Sequence, residues 1–495
     1  MRLQELTAGI PGARTLWPEG SDGGRAAPEI EGIAYRSDEV RPGWAFACLP
    51  GARFDGHDFA GDAVARGAAA LVVERPLDQP VPQVLVADAR LATALIAAGL
   101  AGRPSDALAV VGVTGTNGKT TSAFLLHAVL DAAGLRPGLL GTIEARVGGR
   151  VEPLARTTPE SVDLQNLLAR MRDAGDRSCA MEVSSHALAQ RRVAGVRFAA
   201  AIFTNLTRDH LDYHADVDEY YLAKRALFMR PEGEGPDPPG AANLDDPFGR
   251  RLAEEAGLLG FAVEAEAEVR PVRIAAAGRG FAATVRTPRG PLEIESALRG
   301  RFNVANVTGV VAAAELLGLD RGAVARGIAA VRGVPGRFEP VDAGQPFEVL
   351  VDYAHTPDSL ENVLREARAL AGPRRVLAVF GCGGDRDRGK RPQMGAIARA
   401  LADVAIVTSD NPRTEDPDAI IAEVLAGAAD GPAELVVEAD RRRAIGLAVE
   451  RAAPGDVVVI AGKGHERGQE RDGVVSPFDD REVALAALGE VRAIH

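Results

Sequence analysis

The run Gly112-Val-Thr-Gly-Thr-Asn-Gly-Lys-Thr-Thr121 constrains this chain more than any other segment. It follows an apolar stretch, Leu108 to Val113, that reads as a buried strand. The residues after it, Ser122 to Ala133, carry helical periodicity. Strand, glycine-rich loop and helix in this order form a cradle for phosphate. Backbone N–H groups converge only where glycine removes the Cβ, and the helix N-terminus adds its positive end. Lys119 would neutralise phosphate charge, and Thr120 could hold Mg2+. A nucleoside triphosphate, ATP above all, is therefore the expected ligand. The spacing is unusual, because G-x-x-x-x-G-K needs glycine at 113, where Val113 stands. A plain glycine-rich turn with an exposed lysine is the alternative. The agreement of strand, loop, Lys-Thr pair and helix argues against it.

Composition narrows the class. At 495 residues the chain exceeds one core, so about two to four domains are expected. A hydrophobic content of 46% with 25% charge is ordinary for a soluble globular protein. The net charge of −12 argues against nucleic acid as the main partner. Cys48, Cys179 and Cys382 have no paired or metal-like spacing, so a reducing cytoplasm is expected. Met1 to Ala13 lacks a signal pattern, and no stretch reaches the roughly 20 apolar residues of a membrane helix.

Three α/β parts follow from the strand and turn signals. The first, 1–106, has strand-like runs at 45–49 and 70–73 with an alanine-rich helix from 59 to 67 between them. It is too poor in acid and base groups to hold the chemistry, and it ends at Gly102-Arg-Pro-Ser-Asp106. The second, 107–337, starts with the phosphate loop. Strands are expected at 178–182 and 199–205 in a mostly parallel sheet, with a small antiparallel addition between 268 and 298. The third, 338–495, has runs at 349–352, 375–380, 404–408 and 457–461, each followed by a turn and a helical pattern. It reads as a doubly wound domain. Its Gly381-Cys-Gly-Gly384 turn is read as a tight turn that exposes backbone to a ligand.

Four clusters at predicted strand ends could carry chemistry. In Ala180-Met-Glu-Val-Ser-Ser-His186, Glu182 suits Mg2+, either directly or through a neighbour, although a carboxylate capping the next helix is the alternative. Asn205-Leu-Thr-Arg-Asp-His-Leu-Asp-Tyr-His214 crowds two histidines and two aspartates into one loop that could hold a metal or orient a substrate. Zinc is disfavoured by the lack of a cysteine pair. Lys224 is a lone helical lysine, ordinarily on a solvated face, but its apolar neighbours suggest partial burial, which would favour a neutral amine able to react with CO2. The fourth cluster is split over 352–357, 384–388, 409–413 and 462–466. There Arg386 and Arg413 suit a carboxylate, while Asp410, Asn411 and Glu466 suit an ammonium. Together they describe a pocket for a zwitterion such as an amino acid.

These residues resemble the Mur ligase family nearly end to end. The motifs that carry the resemblance are G-T-N-G-K-T-T at 115–121, M-E-V-S-S-H at 181–186, T-N-L-T-R-D-H-L-D-Y-H at 204–214, F-N-V-A-N at 302–306 and V-P-G-R-F-E at 334–339. They continue with D-Y-A-H-T-P-D-S-L-E at 352–361, F-G-C-G-G-D-R-D at 380–387, D-N-P-R at 410–413 and G-K-G-H-E at 462–466. The resemblance implies a UDP domain, a central ATPase and a C-terminal domain for the incoming amino acid. It implies an acid–amino-acid ligase of peptidoglycan synthesis that adds meso-diaminopimelate to UDP-N-acetylmuramoyl-L-alanyl-D-glutamate through an acyl phosphate. Gly115, Thr116, Asn117, Gly118, Lys119, Thr120 and Thr121 would then bind ATP, together with Asn303, Asn306, Arg337 and Asp352. Thr120, Glu182, His210 and Lys224, the last as its carbamate, would serve Mg2+. Lys119, Glu182, His210 and Lys224 are the implied catalytic set.

By the same resemblance, Ser37, Thr157, Thr158, Ser184, Gln190 and Arg192 would contact the UDP-muramoyl substrate. Arg386, Asp410, Asn411, Pro412, Arg413, Gly462 and Glu466 would form the diaminopimelate pocket. Arg413 can bind the distal carboxylate that lysine lacks. The uridine-side motif of the family reads Y-D-S-R, whereas this chain has Tyr35-Arg-Ser-Asp38, with Ser37 kept and the charges exchanged. A monomer without membrane insertion is expected. The competing readings are an L-lysine-adding ligase, a folate polyglutamate synthetase, and an ATP-driven switch or binding module without ligation.

Overall fold

The strand that feeds the phosphate loop is A-V-V-G-V-T, apolar without alternation, and such a run forms a strand buried on both faces. It lies inside an eight-stranded sheet. The order is Leu259–Phe261, Gly240–Asn243, Phe198–Phe203, Ala109–Thr114, Ser178–Glu182, Pro137–Leu140, Ala145–Val147 and Arg150–Glu152. The first six run parallel and the last two close as an antiparallel hairpin. Register sets Glu182 opposite Val113 and Phe203 opposite Thr114. The phosphate loop, Glu182 and the 204–214 loop therefore leave the sheet at one edge. The structure, a computed structural model, describes residues 1–18, 27–51 and 54–494.

One face of this sheet is covered by helices Lys119–Ala132, Arg301–Leu316 and Arg321–Ala330, whose Leu125, Leu126, Val129, Val307, Val310 and Ile328 pack on Val111 and Val113. The other face packs Met181 and Phe203 under Leu164, Leu168, Met171, Tyr220, Tyr221 and Phe228. The helix after the loop starts at Lys119, three residues earlier than its periodicity suggested. Gly118 caps it in the left-handed region, so the polar Lys-Thr-Thr already forms the first turn. The antiparallel addition comprises Arg270–Ala277, Gly280–Arg286 and Leu292–Ser296.

The first 100 residues form a five-stranded sheet ordered Arg14–Leu16, Gln83–Leu85, Ala70–Val73, Trp44–Ala47 and Gly32–Ala34, with only its first strand antiparallel. The helix expected over 59–67 is shorter, Ala60–Ala65 after a 3-10 turn at Gly56–Phe59. The last 160 residues form a six-stranded sheet ordered Glu339–Pro340, Glu348–Asp352, Val457–Ala461, Val376–Phe380, Val404–Val407 and Glu434–Val437. All but the first pairing are parallel, and apolar helices cover both faces. The 381–384 turn is tight, as expected, and its glycines lie against a neighbouring loop. A Cβ on Gly381 would lie 2.3 Å from Thr408 O, and one on Gly384 would lie 1.9 Å from Pro412 O. These glycines let two strand-end loops pack backbone to backbone. Among the described residues, no helix is long and apolar enough to cross a membrane.

Beneath these loops Arg441 and Asp480 form a fully buried ion pair at 2.7 Å. Arg441 also donates to Ala461 O at 2.9 Å and Ser409 O at 3.4 Å. Removing one partner of such a pair strands the other charge away from water. Asp480→Ala is expected to cost about 3–5 kcal/mol in the C-terminal unfolding transition. Urea denaturation followed by fluorescence or circular dichroism checks this, and an unchanged midpoint contradicts it.

Candidate functional site

The phosphate loop is built by close approach. Gly115 has φ +150° and Gly118 φ +86°, both in the region that favours glycine. A Cβ at 115 would meet Thr204 Oγ1 at 1.9 Å, and one at 118 would meet Asn306 Oδ1 at 2.3 Å. The neighbouring strand end props the loop. The Asn117 N–H donates to Asn205 Oδ1 at 2.9 Å, and Thr204 Oγ1 donates to Asn117 O at 2.6 Å. Thr116 Oγ1 pairs with the Tyr220 hydroxyl at 3.1 Å. Lys119 Nζ donates to Gly115 O at 2.9 Å and Thr116 O at 2.8 Å.

Lys224, near the end of helix Val217–Arg225, donates to the same Gly115 O at 2.8 Å. It is buried, and its ammonium lies 4.4 Å from the Tyr220 ring centre. Burial, reinforced by the Lys119 charge, pushes its amine well below the ordinary lysine range. The expected partial burial is in fact complete.

Glu182 is buried at the sheet edge. Its Oε2 accepts from Thr120 Oγ1 and Thr142 Oγ1, both at 3.0 Å, and its Oε1 accepts from the Thr142 N–H at 2.8 Å. It does not cap the next helix, because Ser184 Oγ takes that place by accepting the Ala187 N–H. Arg337 reaches across to donate to Thr120 Oγ1 at 3.0 Å. A hydroxyl and a carboxylate this close are a hard oxygen pair. They suit Mg2+, which takes few protein ligands and keeps phosphate and water oxygens.

The 204–214 loop, read as able to hold a metal or orient a substrate, brings Asp209 and His210 to the cavity beside Lys119 and Lys224. Its two histidines both pack against the rings of His186 and Tyr220, and His214 is buried against Ser185 Oγ at 3.0 Å. His210, at φ +55°, turns its ring edge-on to His186 at 4.9 Å, and burial pushes it down to about 4. Asp212 is exposed. Among the described residues no three His, Cys, Asp or Glu side chains gather into a metal shell.

Five residues read as substrate contacts meet beside Glu182. Thr158 Oγ1 donates to Glu182 O and accepts from the Ser184 N–H at 3.1 Å, and Thr157 Oγ1 lies 3.1 Å from Thr142 Oγ1. Arg192 donates to Thr158 O at 3.1 Å and to Gln190 Oε1 at 2.7 Å. Ser37 is not among them. It lies in the N-terminal sheet region, where Arg36 and Asp38 pair with each other at 2.9 Å and Tyr35 donates to Asp163 at 2.8 Å.

A cavity of about 1030 Å³ joins these groups. Thr120, Glu182, His210 and Lys224 line it with Asn306, Arg337, Asp352 and Arg386. Asn306 Nδ2 donates to Asn303 Oδ1 at 2.9 Å. The Arg337 guanidinium stacks 4.6 Å from the Tyr353 ring centre. Asp352 accepts the Phe338 and Ala354 N–H groups at 2.6 and 2.7 Å, and burial pushes its carboxyl up to about 6. Sequence reasoning missed Asp358, which lies inside the quoted 352–361 motif. Its Oδ2 accepts from Asn117 Nδ2 at 2.8 Å and Thr207 Oγ1 at 3.1 Å, so the C-terminal helix Pro357–Ala371 grips the phosphate loop.

The four strand-end loops of the C-terminal sheet converge as expected. Asp410, Asn411 and Glu466 surround an ammonium, but it is that of Lys463, a fully buried residue the sequence reading passed over inside G-K-G-H-E. Its Nζ lies 2.9 Å from Asn411 Oδ1, 3.3 Å from Glu466 Oε2 and 3.4 Å from Asp410 Oδ1. A Cβ on Gly462, at φ +120°, would meet Asp410 Oδ2 at 2.9 Å. Arg413 is left-handed at φ +52° and donates to Gly384 O at 2.7 Å, while the exposed Arg386 flanks the same turn at Gly383.

Comparison with known proteins gives three family matches along the chain. They are Mur ligase family, catalytic domain (29–103), Mur ligase middle domain (113–314) and Mur ligase, glutamate ligase domain (336–464). A protein of Solibacter usitatus (strain Ellin6076), named UDP-N-acetylmuramoyl-L-alanyl-D-glutamate--2,6-diaminopimelate ligase, is 46% identical over 494 residues, covering 99% of this chain and 98% of its own. One of the same name from Geobacillus kaustophilus (strain HTA426) is 46% identical over 495 residues, covering 99% and 100%. A solved structure titled with that ligase name superposes with a TM-score of 0.69 at 31% identity over 99% of both chains.

The loop geometry makes one consequence testable. Gly118→Ala would force a Cβ against Asn306 in a strained conformation. Nucleotide affinity is expected to fall about tenfold or more with the fold retained. Calorimetric titration with ATP alongside circular dichroism checks this, and unchanged affinity contradicts it.

Proposed function

Because this chain belongs to the Mur ligase family, we propose that it joins meso-2,6-diaminopimelate to UDP-N-acetylmuramoyl-L-alanyl-D-glutamate at the expense of ATP, in peptidoglycan precursor synthesis. The observation that carries this reading is the shared cavity. Phosphate loop, Glu182 and Lys224 line it from one sheet edge, and Arg386 lines it from the other, next to the D-N-P-R loop. A triphosphate and an amino acid held at facing sheet edges can react with a carboxylate between them. An L-lysine-adding enzyme is the second reading. Arg413 favours the diacid, because lysine offers no distal carboxylate to the guanidinium donors that Glu470 and Gly384 O leave unused.

The chemistry follows from the groups present. A carboxylate is a poor electrophile. Transfer of the γ-phosphoryl group to the D-glutamyl carboxylate gives an acyl phosphate with a good leaving group. The diaminopimelate amine then attacks its carbonyl carbon, and phosphate departs with formation of the amide. The loop N–H groups, Lys119 and Arg337 neutralise charge on the phosphoryl oxygens. Thr120 and Glu182 would hold Mg2+, with His210 and carbamylated Lys224 as further candidates. When bound, Mg2+ supplies charge neutralisation between the phosphates. Burial favours the neutral Lys224 amine that carbamate formation needs.

Asn303, Asn306 and Asp352 would contact the nucleotide. Thr157, Thr158, Ser184, Gln190 and Arg192 would contact the muramoyl peptide, and Ser37 the UDP end. Arg386, Asp410, Asn411, Pro412, Arg413, Gly462 and Glu466 would receive the amino acid. The corresponding domains are 1–106, 107–337 and 338–495, in a cytoplasmic monomer.

Phosphate release should require both the UDP-dipeptide and meso-diaminopimelate. A panel of amino acids in a phosphate-release assay checks this, and equal turnover with L-lysine removes the specificity. Lys224→Ala should lose nearly all activity, at least about a hundredfold, and regain part of it with added short carboxylates. Full activity without them contradicts the carbamate.

A further inference from the structure

The D-N-P-R loop is braced by a segment with no role so far, the hairpin of strands Gly468–Arg471 and Val474–Pro477. Gln469 Nε2 donates to Asp410 O at 2.7 Å, and the Glu470 N–H donates to Asn411 Oδ1 at 3.0 Å. The Arg413 N–H donates to Glu470 O at 3.0 Å, and the Asp472 N–H donates to Arg413 O at 2.7 Å. Both backbone groups of Arg413 are thus engaged by the hairpin. That engagement offsets the strain of a left-handed arginine.

The side chain is held as well. Glu470 Oε2 lies 3.3 Å from Arg413 Nε, and one Nη1 hydrogen goes to Gly384 O. A guanidinium carries five N–H donors in a rigid fork. Nε faces Glu470 and Nη1 donates to Gly384 O, which leaves the Nη2 hydrogens and one Nη1 hydrogen as donors for a carboxylate.

We propose that Glu470 is a specificity-determining positioning residue, which fixes the Arg413 guanidinium so that its terminal edge meets the distal carboxylate of the incoming amino acid. This rests on the reading of 410–413 as the amine-substrate loop. The Glu470 side chain is 40% exposed, so its ion pair adds little to the stability of the fold. Its effect belongs in substrate affinity. Without the carboxylate the guanidinium regains rotamer freedom, and binding of the diacid bears the cost of ordering it. Lysine, which has no distal carboxylate, is indifferent to that aim.

The test uses steady-state kinetics of the full chain with Glu470→Gln, Glu470→Lys and Glu470→Asp. Glu470→Gln should raise the KM for diaminopimelate about two- to fivefold, and Glu470→Lys about tenfold or more. The kcat and the KM for ATP should stay within about twofold, with the melting temperature unchanged and Glu470→Asp close to the parent. In an Arg413→Ala background, Glu470→Gln should add nothing, because the residue acts through Arg413. The proposal is overturned by an unchanged diaminopimelate KM in Glu470→Lys, by an ATP KM that rises in step, or by additive effects in the double variant. A parent protein without diaminopimelate-dependent turnover would overturn the functional reading instead. An impaired Arg413→Ala beside unaffected Glu470 variants overturns only the positioning role.

Discussion

Two lysines converge on one carbonyl, and the site is organised by that contact. Gly115 O accepts from both Lys119 and Lys224. Two ammonium groups so close repel, and burial raises the cost of keeping both charged. Burial pushes both amines below the ordinary lysine range, and the Lys119 charge pushes Lys224 down further. The loop can offer its carbonyl inward only because Gly115 and Gly118 take positive φ and leave room for Thr204 and Asn306. Glycine, lysine and strand-end threonine are thus parts of one arrangement.

The sheets translate this contact into a shared site. Parallel pairing sends the loops that leave strands Ala109–Thr114, Ser178–Glu182 and Phe198–Phe203 to one edge, and the parallel strands of the C-terminal sheet do the same with theirs. Asn117, Thr207 and Asp358 then join the two edges through hydrogen bonds on a single carboxylate oxygen. The phosphate loop and the C-terminal helix are held as one piece.

Much of this could be read from the residues. Buried parallel strands are continuous apolar runs, so Ser178–Glu182, Ala70–Val73 and Val457–Ala461 were found to the residue. The helix after the loop was placed three residues late, because its first turn is polar Lys-Thr-Thr and periodicity does not register it. The 381–384 glycines also serve loop-to-loop packing, which a local glycine pattern does not show. Lys463 and Asp358 were missed for a common reason. Their importance lies in partners 52 and 241 residues away, which no local pattern encodes. The exchanged charges at 36 and 38 find each other instead of a distant partner, which only coordinates reveal.

Arg441 has a consequence of another kind. It links the helix Asp480–Ile494 to the carbonyls of Ser409 and Ala461, directly under the loops that carry Asp410 and Gly462. That helix therefore supports the loops carrying Asp410 and Gly462 from below. Trimming or fusing the protein at that helix would disturb these loops and also the Arg337 turn, because Arg481 pairs with Glu339, whose carboxylate accepts the Gly336 N–H.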